Sequence, residues 1–322
     1  MKINNTLMFV VIRALVMLAI VMPYSANAYT GITVVMSSST LNSLEFIAKF
    51  KEELVVNKAE TLKVKVIDLS EVDQLTVAEN SELVIALGVR ALEVASKLKH
   101  TTPVLGVFTP LPIYNKVLFN SGRRLGIFSA IVLDQPYSRQ IGLVRIALPE
   151  AKNLGILAGS TSGRYERFLR EEAERHGFNA GVEYVKSDLD LIPKLEKIFT
   201  SNDALLAIPD PLIYNRQTAQ PILLTSYRYQ VPVFGYSRSY VKAGALASVY
   251  SDAKHLAKQA AEIAIETQGR KNLLPPPVPP KYFSVIINRQ VQRALNLLLA
   301  DEGDIYQKLL ALESKLQNNV QN

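Results

Sequence analysis

From residue 31 onward, short and mostly apolar runs alternate with longer stretches whose apolar positions recur every three or four residues. The first runs are 31–37 (GITVVMS), 63–69 (KVKVIDL), 83–88 (LVIALG), 103–109 (PVLGVFT) and 125–133 (LGIFSAIVL). Each has the length and composition of a strand. Helices are predicted over 41–55, capped by Ser39 or Thr40, and over 89–98. Strands that are apolar on both faces and separated by helices imply a parallel sheet covered on both sides.

The pattern then restarts. A helix over 139–148 precedes a strand at 153–159 (NLGILAG) and a charged helix over 163–177, with Ser162 as its cap. A weak strand at 180–185, a helix over 191–199, a strand at 204–209 (ALLAIP), a helix over 213–229 and a strand at 232–236 (PVFGY) follow. Two successive units of this kind predict an α/β protein with two doubly wound, parallel-sheet lobes. The duplication is architectural, since no close sequence repeat accompanies it. Towards the end come a strand at 245–251, an Ala-rich helix over 253–267 and a stiff proline connector at 274–280 (LPPPVPP). A strand at 282–287 and a helix over 291–317, broken near Gly303, complete the chain. The Leu-rich face of that helix reads as core.

Composition narrows the chemistry. At 322 residues, 48% of them hydrophobic, the chain suits two lobes of ordinary size. The absence of cysteine excludes disulfides, thiol nucleophiles and Cys-based metal centres. The three histidines, His100, His176 and His255, have no ligand-like spacing, so no metal or other cofactor is expected. A net charge of +7 invites nucleic acid, but the basic residues are scattered and no aromatic stripe interleaves them; no nucleic-acid partner is expected. Residues 1–28 carry Lys2 and Arg13, an apolar run at 14–22, Pro23 and the motif Ala26-Asn27-Ala28. This reads as a signal peptide cleaved before Tyr29, because the run falls short of the roughly 20 apolar residues of a membrane span. An exported, periplasmic protein is expected.

In open α/β sheets, ligands bind at the carboxyl ends of the strands. The residues there are Ser37, Ser38 and Ser39, Gly88, Phe108 and Thr109, Asp134 and Gln135, Gly159, Ser160 and Thr161, Asp210, and Tyr236, Ser237 and Arg238. Hydroxyls, two carboxylates, an arginine and aromatic rings suit a small polar molecule. Tyr214, Tyr236, Tyr240 and Tyr250 are either ligand-contacting rings or half-buried packing residues. No G-x-S-x-G, H-E-x-x-H or P-loop motif is present, and no enzymatic activity is expected. The Gly159–Gly163 stretch is either a turn with a helix cap or a backbone-amide anion site. Asp210, between Pro209 and Pro211, is either a ligand carboxylate or the cap of a helix starting near Leu212.

The run PVFGYSRSYVKAGALASVYSDAKHLAKQAAEIAIETQGR resembles the closing segment of ABC-transporter substrate-binding proteins of the tryptophan/tyrosine type. The matching residues are Pro232-Val233-Phe234, Gly244-Ala245, the Ala-rich helix, the proline link and Asn288. RIALPEAKNLGILAGSTSG and ALLAIPDPLIYN are similar to further elements of that family. The resemblance implies the type I periplasmic-binding-protein fold, with two lobes joined by three crossovers and a ligand between them. It implies a first lobe of residues 29–133 and 247–278, a second of 134–246 and 279–300, and a helical extension at 301–322. Ser37, Ser38, Gly88 and Thr109 would face Ser160, Thr161 and Asp210 across the cleft, with Asp134, Gln135, Tyr236 and Arg238 near the crossovers. The implied partners are a small, amino-acid-like or aromatic molecule and the membrane permease of an ABC transporter. The sequence lacks the family's Asp-Pro after Thr109 and has a long last helix, which leaves a sensor kinase as the alternative partner.

Overall fold

The computed structural model describes residues 31–59, 62–71, 78, 81–269 and 273–321. The expected signal peptide lies outside them. The first sheet comprises β1 (Ile32–Met36), β2 (Val64–Asp68), β3 (Leu83–Leu87), β4 (Val104–Thr109) and β5 (Phe128–Val132), in the order β2-β1-β3-β4-β5. All its pairings are parallel. It is covered by α1 (Leu41–Val56), α2 (Val89–Ala95), α3 (Leu111–Ser121) and α9 (Ala253–Gly269). Thr40 caps α1 through a reciprocal capping box with Ser43.

The second sheet comprises β6 (Asn153–Ala158), β7 (Asn179–Tyr184), β8 (Ala204–Leu206), β9 (Val233–Phe234), β10 (Ala247–Tyr250) and β11 (Ser284–Ile287). Its order is β11-β10-β9-β8-β6-β7, parallel except for the antiparallel β10–β11 pair. Around it lie α4 (Tyr137–Ala147), α5 (Glu166–Arg175), α6 (Asp188–Ser201), α7 (Ala219–Tyr229), α8 (Arg238–Ala243), α10 (Arg289–Ala294) and α11 (Glu302–Gln321). Each sheet buries side chains on both faces. Val34, Phe46, Ile85 and Leu256 fill one side of the first sheet, and Val35, Val84, Leu92 and Tyr114 the other. This is the two-lobed, doubly wound α/β architecture expected from the alternation of strands and helices.

The details differ from the expectation in several places. β10 belongs to the second sheet, not to the first lobe, because its whole length pairs with β11. The chain recrosses only at residues 251–252; from there α9 packs against α1, and Leu274 and Val278 join the same face of the first lobe. Residues 302–321 are not an appendage: Ile305 and Leu309 are fully buried in the second lobe, and Leu312 closes on Gly142 of α4. No helix was expected over 111–121; Pro110 is the cap of α3 and Pro112 sits in its first turn, where proline costs no hydrogen bond. The helix expected over 213–229 begins only at Ala219, since Thr218 Oγ1 accepts from Asn215 N (3.0 Å) and donates to Ile213 O (2.6 Å) in a turn. Ser162 makes no capping bond to the helix after it, which opens as a 3-10 turn over Gly163–Tyr165.

Candidate functional site

Three crossovers join the lobes, at residues 133–136, 251–252 and 279–283. Between the lobes lies a cleft of about 710 Å³. It is where parallel topology puts it, at the carboxyl ends of strands and the amino ends of the helices that follow. The first turns or caps of α1, α2, α3, α4, α8 and α9 contribute Ser43, Gly88, Pro110, Tyr137, Arg238 and Ala253 to its wall. Helix amino ends carry unpaired N–H groups and partial positive charge, which favours electron-rich atoms in the cleft.

Seven of the eleven candidate residues line this cleft: Ser37, Ser38, Gly88, Asp134, Gln135, Tyr236 and Arg238. Ser37 Oγ accepts from Ala91 N (3.0 Å) and donates to Leu87 O (3.1 Å), so it fastens the start of α2. Gly88 stands at φ +92°, and a Cβ there would lie 2.9 Å from Ser37 Oγ, so glycine is required by both backbone and space. Ser38 is exposed, and its carbonyl accepts from Ser43 Oγ at 3.0 Å. Asp134 Oδ2 accepts from Leu111 N at 2.6 Å, tying the first crossover to α3. Burial pushes the Asp134 carboxyl above the usual carboxylate range. Tyr236 stacks on Tyr240 with ring centroids 5.6 Å apart, and burial raises its phenol. Arg238 is exposed and lies over the Tyr250 ring at 5.7 Å; it has no ion-pair partner among the described residues.

The other four candidates are elsewhere. Thr109 is fully buried. Its neighbour Phe108 lines the cleft instead, at φ +59°, where β4 slips register against β5. A bulge of this kind re-aims a side chain, and a positive φ on an aromatic residue is a strained conformation found at functional sites. Ser160 and Thr161 lie in the turn after β6 and are not among the residues that line the cleft. Asp210 is 2% exposed, and its oxygens accept from Ser162 Oγ (2.7 Å), Ser162 N (2.9 Å) and Leu212 N (3.0 Å). Tyr214 and Tyr240 are buried behind Tyr236, beside a second hollow of about 770 Å³.

Beneath the cleft, hydrogen bonds join all three crossovers. Gln135 Nε2 donates to Ser251 Oγ at 2.8 Å, and Ser251 Oγ donates to Tyr282 O at 2.5 Å. Arg139 donates to Gln135 Oε1 (2.7 Å), to Pro280 O (2.9 Å) and to both carboxylate oxygens of Glu313 on α11 (2.5 and 3.1 Å). Its guanidinium also sits 3.9 Å from the Phe283 ring centroid. Sequence reasoning missed Arg139, and it missed the cleft residues Tyr137, Gln140 and Ser251. Position after a strand signals Tyr137 and Ser251, but nothing in the helix pattern singles out Gln140. Among the described residues, no group of three or more His, Asp and Glu side chains is placed to hold a metal ion.

Comparison with known proteins bears on what such a cleft does. The family model described as "ABC transporter substrate binding protein" matches residues 74–306. No curated protein sequence matches. A substrate-binding protein with adhesive properties from Clostridium difficile, solved in its ligand-free, open form, superposes with a TM-score of 0.66 at 15% identity, covering 84% of this chain and 96% of that one. An ABC domain from Streptococcus pneumonia in complex with L-Trp gives 0.54 at 16% identity, over 87% and 98% of the two chains. An arabinose-binding protein from Geobacillus stearothermophilus gives 0.51 at 12% identity, over 82% and 98%. At these identities the likeness is one of fold, that of the two-lobed type I periplasmic binding proteins.

Proposed function

Since the chain belongs to the ABC transporter substrate-binding protein family, we propose that its cleft captures an amino-acid-like or aromatic molecule and delivers it to the permease of an ABC transporter. The observation that carries this reading is the placement of opposite charges and rings around one cavity. Asp134 offers a carboxylate from the first crossover, and Arg238 offers an unpaired guanidinium from the second lobe. A zwitterion meets both needs, its ammonium at the carboxylate and its carboxylate at the arginine and the helix amino ends. Phe108, Tyr137 and Tyr236 supply apolar and aromatic surface for a side chain. The L-Trp complex of the Streptococcus protein accords with this ligand class, whereas the arabinose-binding protein shares the fold with a sugar ligand in its name.

Ser37, Ser38, Gly88, Gln135, Asp134, Tyr236 and Arg238 form the contact set in this reading. Thr109 and Asp210 are buried and serve the scaffold, while Ser160 and Thr161 fall outside the contact set. The sensor-kinase alternative rested partly on the long last helix, and that helix is committed to the core of the second lobe through Ile305 and Leu309. Function outside the cytoplasmic membrane, in the periplasm, follows from the transport role.

The test is to identify what the native protein carries. Protein purified without denaturation is unfolded, and released small molecules are identified by mass spectrometry. An amine- and carboxylate-bearing compound is expected, and Arg238→Ala is expected to weaken its binding about tenfold, the loss of a charge-assisted hydrogen bond. Chemical conversion of that compound by the protein, or unchanged uptake in cells lacking the protein, would overturn the reading.

A further inference from the structure

We propose that Gln140 is a specificity-determining residue of the cleft, its Oε1 accepting a hydrogen from a protonated amine of the bound molecule; this rests on the solute-binding reading above. Gln140 lies in the first turn of α4, is 3% exposed and lines the cleft. Its amide orientation is settled by its neighbour. Nε2 donates to the backbone carbonyl of Gln135 at 3.0 Å, and a carbonyl can only accept. Oε1 is therefore the other end of the amide, and it is a buried acceptor without a partner among the described residues. Buried acceptors in folded proteins are almost always paired. In the wall of a binding cleft, the missing donor is supplied by what fills the cleft.

The adjacent amide is locked in the opposite sense. Arg139 has only donors, so the atom of Gln135 that it meets at 2.7 Å is Oε1. Gln135 Nε2 gives one hydrogen to Ser251 Oγ at 2.8 Å and retains a second. The two glutamines thus offer one acceptor and one donor in fixed places. The same wall carries Asp134, whose carboxylate adds negative charge. Arg238 is the one cation among the described lining residues, and it comes from the second lobe. An unpaired acceptor on the carboxylate's wall selects a group with several hydrogens and a positive charge, which is an ammonium rather than a carboxylate or a ring carbon.

The experiment uses the full mature chain and a defined set of probes: the twenty common L-amino acids, each beside its deaminated acid, with D-arabinose and D-ribose. Thermal shift finds the binders, and calorimetric titration measures them. At least one amino acid is expected to bind where its deaminated acid at equal concentration does not. Gln140→Leu is expected to weaken that binding about ten- to a hundredfold, and Gln140→Glu to retain it, because a carboxylate still accepts. Both variants lose the bond to the Gln135 carbonyl. Equal loss of melting temperature in both with affinity unmoved would show a purely structural role and sink the proposal. Binding of a deaminated acid or a sugar alone, undiminished in Gln140→Leu, would also sink it while leaving the solute-binding reading standing. Binding of no probe would overturn both this inference and the amino-acid-like ligand class.

Discussion

A carboxylate held between two prolines at a strand end can face a ligand or fasten its own loop, and the neighbours of Asp210 select the second. Ser162 directs both its backbone N–H and its hydroxyl to Oδ2, and Leu212 directs its N–H to Oδ1. Three donors converge on two oxygens, so an amide in the same place must turn its NH2 towards a donor. Asp210→Asn is therefore expected to lose about 1–3 kcal/mol of stability, the cost of an unsatisfied buried donor, with ligand affinity unchanged. Urea unfolding beside calorimetric titration checks both halves, and a loss of affinity at full stability would put Asp210 back in the cleft. The prolines made the position conspicuous in the sequence, but the partner that decides its role is 48 residues away. Ser37 and Gly88 were legible for a different reason. A strand that ends in serine or glycine before a helix meets local geometric demands that sequence pattern records.

At the scale of elements, most strands announced themselves, because a stretch buried on both faces has to be apolar throughout. α3 did not, since a proline at its cap and another in its first turn obscure a helix start that tolerates both. The sheet membership of β10 was also hidden, because an apolar strand fits either sheet and only its pairing with β11 decides. The last helix shows the limit most plainly. Its Leu pattern predicts a buried face, but not that Glu313 reaches Arg139, 174 residues earlier in the chain. Arg139 is 5% exposed, and its charge is balanced by that carboxylate. Glu313→Gln keeps one acceptor and removes the charge. A loss of about 1.5–3 kcal/mol is expected, the range for hydrogen bonds to charged groups, and is measured by equilibrium urea unfolding. A change below about 0.5 kcal/mol, usual for surface substitutions, would mean that the pair does not hold α11 in place.

On the scale of the whole molecule, the three crossovers are joined by Gln135, Ser251 and the Tyr282 carbonyl, so the lobes share one hinge region. Each lobe carries its own core and its own share of the cleft wall, which is the arrangement for closure about a bound molecule. Small-angle scattering is expected to give a smaller radius of gyration once the compound released from the native protein is added back. An unchanged radius at saturation would exclude closure. The proline strap at 274–280 has a consequence for how the protein behaves in a crowd. Val278 pairs with the open edge of β5, donating to Ala130 O and accepting from Val132 N, and Leu274 donates to Gly126 O. Exposed sheet edges recruit strands from other chains. The strap occupies that edge, and its own outer side is largely proline, which has no N–H to offer. The first sheet is thus closed to growth on this side, and the protein can accumulate with one route to edge-to-edge aggregation removed.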